Sequence, residues 1–492
     1  MDERTSLIQN GPASTSNAKL YLAVFSAVLG NFNFGYSLVY PSPVIPQLKV
    51  EDNLDLRMDT TDIAWFGSVF SLGAAAGGLG AMLLNDMIGR KMSIMISAVP
   101  STMGYLLMGA AQARWMLWLG RILTGIASGM TAASIPIYVS EISSPGLRGA
   151  LGSCPQITAV FGSLALYALG LLLPWRWLAI AGEVPAFVML VLLCFMPKSP
   201  RYLISKGRQQ EALKALKWLR GRGANFTDEL KKIEQSITSQ GYISWSDLTM
   251  PYYYKPILIA VAMRFLQQMT GITPILVYLE PIFHYTKISL EPKYDAALVG
   301  AVRLLSVVTA ASLMDRAGRK RLLFISGFLM FLACQSLTMY THSTPYPSIN
   351  ITHHDPHTLF SIQQSHRVQQ NLPFDSVALI PLLSTMVIIF GYAMGWGPIT
   401  WLLMSEILPL GARGKASGLC VGVSWITAFG LSQGFMHVVE TYGLFVPFLF
   451  FSVVDVINIL FTALCVPETK GRSLEEIENY FRTGRTFTIN EN

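Results

Sequence analysis

Arg303 makes the greatest demand on its surroundings, because it lies in ALVGAVRLLSVVTAASLMDRAGRK (297 to 320), a run otherwise apolar enough to begin as a membrane span. An arginine at the bilayer centre costs about 3 kcal/mol on insertion scales. One way to lower that cost is to snorkel: about seven residues at 1.5 Å each is only about 10 Å of depth. Other reactive types give no enzyme. No intramembrane carboxylate pair, metal-ligand cluster or nucleophile with a base is visible, so neither a metal nor a cofactor is expected. Cys154, Cys194, Cys334, Cys420 and Cys465 all fall in apolar runs without ligand or disulfide spacing. His342, His353, His354, His357 and His366 share one polar loop, 342 to 375. Its HHDPH could titrate in an acidic compartment, or simply be a solvated loop of biased composition.

The elements that must hold these residues are helices in a membrane. Of 492 residues, 52% are hydrophobic and 13% charged, where soluble domains carry about 25% charge. About 20 apolar residues cross a bilayer. That ruler gives twelve spans, near 19–42, 62–84, 93–112, 115–138, 150–173, 175–197, 255–284, 294–314, 321–341, 376–404, 416–438 and 444–466. The expected fold is therefore an all-α polytopic membrane protein with both ends on one side. Most of the 36 Lys and Arg lie in the tails and the loops of that side, which the positive-inside rule makes cytosolic. The net charge of +7 is then explained by the lipid bilayer, without a nucleic-acid partner. The polar start shows no signal peptide.

Three pairs of turns repeat in order. NDMIGRKMS (85–93) is answered by MDRAGRKRL (314–322), YVSEISSPGLRGA (138–150) by LMSEILPLGARGKA (403–416), and PKSPRYL (197–203) by PETKGRSL (467–474). This is a duplicated six-span unit. The expected organisation is a cytosolic tail (1–18), a six-span bundle (19–197), a linker of amphipathic helices (198–254), a second bundle (255–466) and a cytosolic tail (467–492). Asp86 with Arg90, Glu141 with Arg148, Asp315 with Arg319, and Glu406 with Arg413 place acids and bases at cytosolic helix ends. There they can pair across the halves and meet helix dipoles as a two-state gate.

The turns GRKMS, GRILTG, SPGLRG, PWRW, PKSPR, QQMTG, DRAGRK, GWGPITW and PETKGRS resemble the sugar-porter family of the major facilitator superfamily, over about residues 19 to 480. GWGPITW, the short first outer loop and the long loop between spans nine and ten resemble its third class of animal facilitative glucose transporters. The resemblance implies a hexose pathway between two pseudo-symmetric bundles, working by alternating access. It places Gln156, Gln267, Gln268, Trp401 and Trp425 at sugar-contacting positions. Those types suit the task, since amides bind hydroxyls and aromatic faces cover a sugar's C–H surface. The chain departs from the pattern at four places: Thr273, Arg303 and Ser424 stand where the family's glucose carriers keep asparagines, and Ala393 where they keep a glutamate. At its family position Arg303 faces the aqueous cavity. A pocket so altered is expected to bind glucose weakly, and an anionic sugar is an alternative substrate.

Proton-coupled relatives carry an aspartate on span one, where this chain has Ser37. The expectation is a passive uniporter. Glu3, Leu7 and Ile8 in ERTSLI fit an acidic dileucine signal read by an endocytic adaptor, directing the protein to lysosomal or endosomal membranes and also leaving the plasma membrane open as a location. Asn350 in NIT is a glycosylation acceptor on the non-cytosolic side, whereas Asn225 faces the cytosol. The alternative from another class is an intracellular sugar sensor with little flux.

Overall fold

The computed structural model describes residues 17–144, 147–221, 226–238, 249–286, 291–344, 376–409 and 413–470, together with 477, 480–482 and 484. Glu3, Leu7, Ile8, Asn350, His353, His354, His357 and His366 lie outside the described residues, as do the side chains of Arg148, Asp315 and Arg413. Among the described residues every long element is a helix. The first half contains α1 (Ala18–Val39), α2 (Pro41–Lys49), α3 (Thr60–Met87), α4 (Arg90–Ile96), α5 (Ala98–Gly109), α6 (Arg114–Ile142), α7 (Arg148–Gly170) and α8 (Trp175–Cys194). Short helices α9 (Pro200–Ser205), α10 (Gln209–Arg220) and α11 (Phe226–Thr238) follow. The second half contains α12 (Pro251–Met269), α13 (Ile272–Val277), α14 (Leu279–Thr286), α15 (Pro292–Ala317), α16 (Arg319–Ser343), α17 (Ile380–Met394), α18 (Pro398–Ile407), α19 (Arg413–Tyr442) and α20 (Phe445–Cys465).

Among the described residues ten stretches are long and apolar enough to cross a membrane by length and composition. The other two expected spans are α7 and the broken run α12 to α14. Without a hydrophobic drive between helices in lipid, close approach of small residues holds the bundle together. Gly35 shows how close: a Cβ there would lie 1.7 Å from the carbonyl oxygen of Ala159, where α1 crosses α7. The two halves meet along α3 against α19 and α7 against α15, with α2 touching α14.

Two interruptions set up the site. Span seven breaks at Gly271, whose φ of +79° is left-handed and suits glycine; the Phe451 ring fills the space a Cβ would need, 2.3 Å away. Span ten breaks between Met394 and Pro398, where α17 gives way to α18. Breaks at membrane depth are tolerated only where neighbouring groups satisfy the backbone they release.

Candidate substrate site

The two breaks face each other, and Gln267 joins them. Its Nε2 donates to the Tyr392 hydroxyl at 2.9 Å and to the carbonyl oxygens of Trp396 at 2.9 Å and Gly397 at 3.2 Å. Those carbonyls belong to the unwound turn of span ten, where the Thr400 hydroxyl also reaches both at 3.1 Å, so the amide adds a second donor at the break. Its Oε1 accepts from Arg264. One residue on, Gln268 Nε2 donates to Ser424 Oγ at 3.0 Å, and its Oε1 accepts from Thr273 Oγ1 at 2.8 Å. Gln267, Gln268, Thr273 and Ser424 are all buried. In this conformation both amides are fully engaged, and a sugar hydroxyl must exchange with Ser424 or Thr273 to reach Gln268.

Arg264 is a member of the cluster that the sequence analysis does not single out. It lies three residues before Gln267, a spacing that puts both on one helix face. It is only 2% exposed. Its Nη2 donates to Ser424 at 3.1 Å, its Nη1 reaches Thr400 at 3.5 Å, and the guanidinium carbon stands 3.8 Å from the Trp401 ring centroid. Its Nε has no hydrogen-bond partner. Trp401, 38% exposed, covers the cation on one side.

The remaining expected residues are more scattered. Trp425 packs edge-on against Phe34 and Phe70 of the first half, with ring centroids 5.9 Å and 6.3 Å away. Gln156 is partly exposed on α7, and among the described residues no hydrogen bond ties it to the cluster. Arg303 reaches from α15 across to the first half, where its Nη1 donates to Ser163 Oγ of α7 at 3.3 Å. It therefore points between the halves and not along the lipid surface. Ala393 is buried with Val160 and Val307, an apolar contact between α7, α15 and α17.

The hydrogen bonds that cross the halves lie deep or toward the end remote from the helical linker. Ser68 Oγ donates to Gln433 Oε1 at 2.6 Å, Tyr278 OH to the Ala64 carbonyl at 3.4 Å, the Glu280 amide to Ser42 Oγ at 3.0 Å, and Tyr167 OH to the Leu276 carbonyl at 3.2 Å. At the linker end the charges behave differently. Arg90 pairs with Glu141 at 3.1 Å and Asp86 at 3.9 Å, and Arg319 with Glu406 at 3.3 Å. Ser199 donates to Glu141, and Thr469 to Glu406 at 2.5 Å. Each described pair stays within its own half, where the sequence reading allowed pairing across the two.

A second polar network fills the first half. Tyr105 bonds Ser37 and donates to Asn33, Asn33 donates to Ser101, and Ser101 and Thr102 donate to Glu183 on α8. Arg121, fully buried, donates to the carbonyls of Ser37 and Phe66 and stacks over Phe70.

The family model described as Sugar (and other) transporter matches residues 23–481. The chain is 57% identical over 474 residues to the Homo sapiens solute carrier family 2, facilitated glucose transporter member 6, covering 95% of this chain and 92% of that one. Member 8 from Bos taurus is 38% identical, with 96% of each chain covered. The facilitated trehalose transporter Tret1 of Apis mellifera ligustica is 32% identical over 94% of this chain and 88% of its own. Among solved structures, the inward open xylose transporter XylE from E. coli shares the fold, with a TM-score of 0.74 at 23% identity over 94% of this chain and 99% of that one. With a family match over nearly its whole length and a relative at 57% identity, this multi-pass membrane protein of the major facilitator fold belongs to the sugar (and other) transporter family.

Proposed function

We propose that the protein is a facilitative hexose carrier, with glucose as a weakly bound substrate, that works by rocking its two halves about the cluster at the breaks of spans seven and ten. The observation that carries this reading is the convergence of Gln268, Thr273, Ser424 and Trp401 beside Gln267 and its helix break. Amides and hydroxyls at that depth exchange hydrogen bonds with sugar hydroxyls. The cross-half bonds remote from the linker close one entrance, and the ion pairs confined within each half leave the other end able to part. The family membership and relatives named as facilitated glucose transporters support the same reading.

The finer assignments are part of the proposal. The 1–18 tail, the 198–254 linker and the 467–492 tail face the cytosol, Glu3, Leu7 and Ile8 send the protein through an adaptor to lysosomal or endosomal membranes, and Asn350 is glycosylated. Movement is passive, since span one offers Ser37. Glu183 is the carboxylate that hydrogen bonds link to span one, through Ser101 and Asn33, and its bonds with Ser101 and Thr102 engage both oxygens.

Uptake of labelled hexoses into proteoliposomes, at neutral and acidic outer pH and beside Arg303→Asn, tests the reading. Saturable glucose uptake that a proton gradient does not drive uphill, and that rises in the variant, is the expected result. Gradient-driven accumulation abolished by Glu183→Gln would replace the uniporter with a symporter, and binding without flux would leave the sensor.

A further inference from the structure

Arg264 and Arg303 of the second half, like the buried Arg121 of the first, have no carboxylate among their described partners, and Arg303 reaches across between the halves. Arg264 is held by neutral groups only, namely Gln267, Thr400, Ser424 and the Trp401 ring. Arg303 is held by Ser163. Tyr392 OH accepts from the Gln267 amide that Arg264 also bonds, and its neighbour Ala393 packs against Val307, one turn along α15 from Arg303. Ala393, next to it, is buried against Val160 and Val307, and no acid enters there. Arginine does not shed its charge in proteins, and a buried charge without a counter-ion is costly. The Arg264 Nε is buried and unpartnered, although the network around it is otherwise complete.

We propose that this site takes an anionic hexose derivative, a sugar bearing one carboxylate or phosphate group, with Arg264 and Arg303 supplying the counter-charge and Gln268, Thr273 and Ser424 the hydroxyl contacts. This inference rests on the carrier reading and sharpens its substrate class. The planar fork of arginine suits such groups, and hydrogen bonds to an ionised acceptor are roughly twice as strong as neutral ones. Trp401 is the movable part. It sits on the short helix α18, which starts immediately after the break in span ten, and its ring lies over the cation. With no ligand, the ring face partly satisfies Arg264; an arriving anion displaces the weaker cation–π contact. Low dielectric around the site makes the exchange worth more than it is in water.

The test uses the full-length protein in proteoliposomes with labelled glucose, labelled glucuronate and labelled glucose 6-phosphate. Under an inside-positive potential, the expected result is saturable uptake of at least one of the two anions, inhibited by the other and by glucose at higher concentration. The potential accelerates anion uptake and leaves glucose uptake unchanged. Arg264→Gln then lowers the ratio of anion to glucose uptake by about tenfold, what one charge-assisted hydrogen bond is worth. Glucuronate against glucose 6-phosphate separates the carboxylate from the phosphate form. Glucose uptake that neither anion enters nor inhibits overturns the inference and leaves the carrier reading intact. If nothing is transported, thermal stabilisation of the purified protein by either anion, lost in Arg264→Gln, supports the anion site while the carrier reading fails; no stabilisation sinks both.

Discussion

Joining Ser68→Cys to Gln433→Cys by a short, reducible cross-linker abolishes hexose exchange, and reduction restores it. The native pair bridges α3 and α19 with Ser68 Oγ only 2.6 Å from Gln433 Oε1; cysteines lack the reach of the glutamine side chain, so a short bifunctional cross-linker spans the gap and ties the first half to the second. Alternating access requires that end to open once per cycle. A covalent bond holds against any population shift that a substrate can drive, since a ligand moves an equilibrium only by its differential affinity. Each single-cysteine variant, treated alike, controls for the five native thiols. Exchange persisting near the uncrosslinked rate, with the bond shown to have formed, would mean that the α3 to α19 contact does not open during transport.

Gln267→Leu removes more than a sugar contact. The substitution leaves the Trp396 and Gly397 carbonyls with only the Thr400 hydroxyl between them and Arg264 without its Oε1 acceptor. A buried group left unsatisfied costs about 1–3 kcal/mol, although interhelical bonds measured in membranes average about 0.6 kcal/mol. The expected outcome is a clear fall in thermal stability and at least a tenfold loss of hexose exchange. Gln267→Glu separates the two duties, because it keeps an acceptor for Arg264 and loses the donors to the break. Its stability is expected to fall between those of the wild type and the leucine variant. A leucine variant as stable and active as the wild type would show that the break in span ten is held by something else.

The distribution of apolar runs made the spans legible, because a bilayer imposes a length and leaves few other solutions. Arg303 was legible as an anomaly, while its partner was not. Ser163 lies 140 positions away, and only the packing of α15 on α7 brings the two together. Arg264 was missed although the signal was present, since its i, i+3 spacing from Gln267 puts it on the same face of α12. Its meaning depends on Trp401 and Ser424, which reach it from α18 and α19. The charge turns were legible as pairs of acids and bases, yet Glu141 takes Arg90 and Ser199, a choice set by how α4, α6 and the segment before α9 converge. Glu183 is not legible from span one itself, because the carboxylate reaches that region from α8 through Ser101 and Asn33.

The central claim is that sugar crosses by way of a site exposed to one side at a time. Counterflow measures this directly: proteoliposomes are loaded with unlabelled glucose, diluted into a trace of labelled glucose, and followed over time. A carrier of this kind gives a transient overshoot of label above its equilibrium level, because internal glucose returns the site to the outside. The expected result is that overshoot, together with its loss in the cross-linked Ser68→Cys/Gln433→Cys protein. Label that only rises to equilibrium, or never enters, would contradict it.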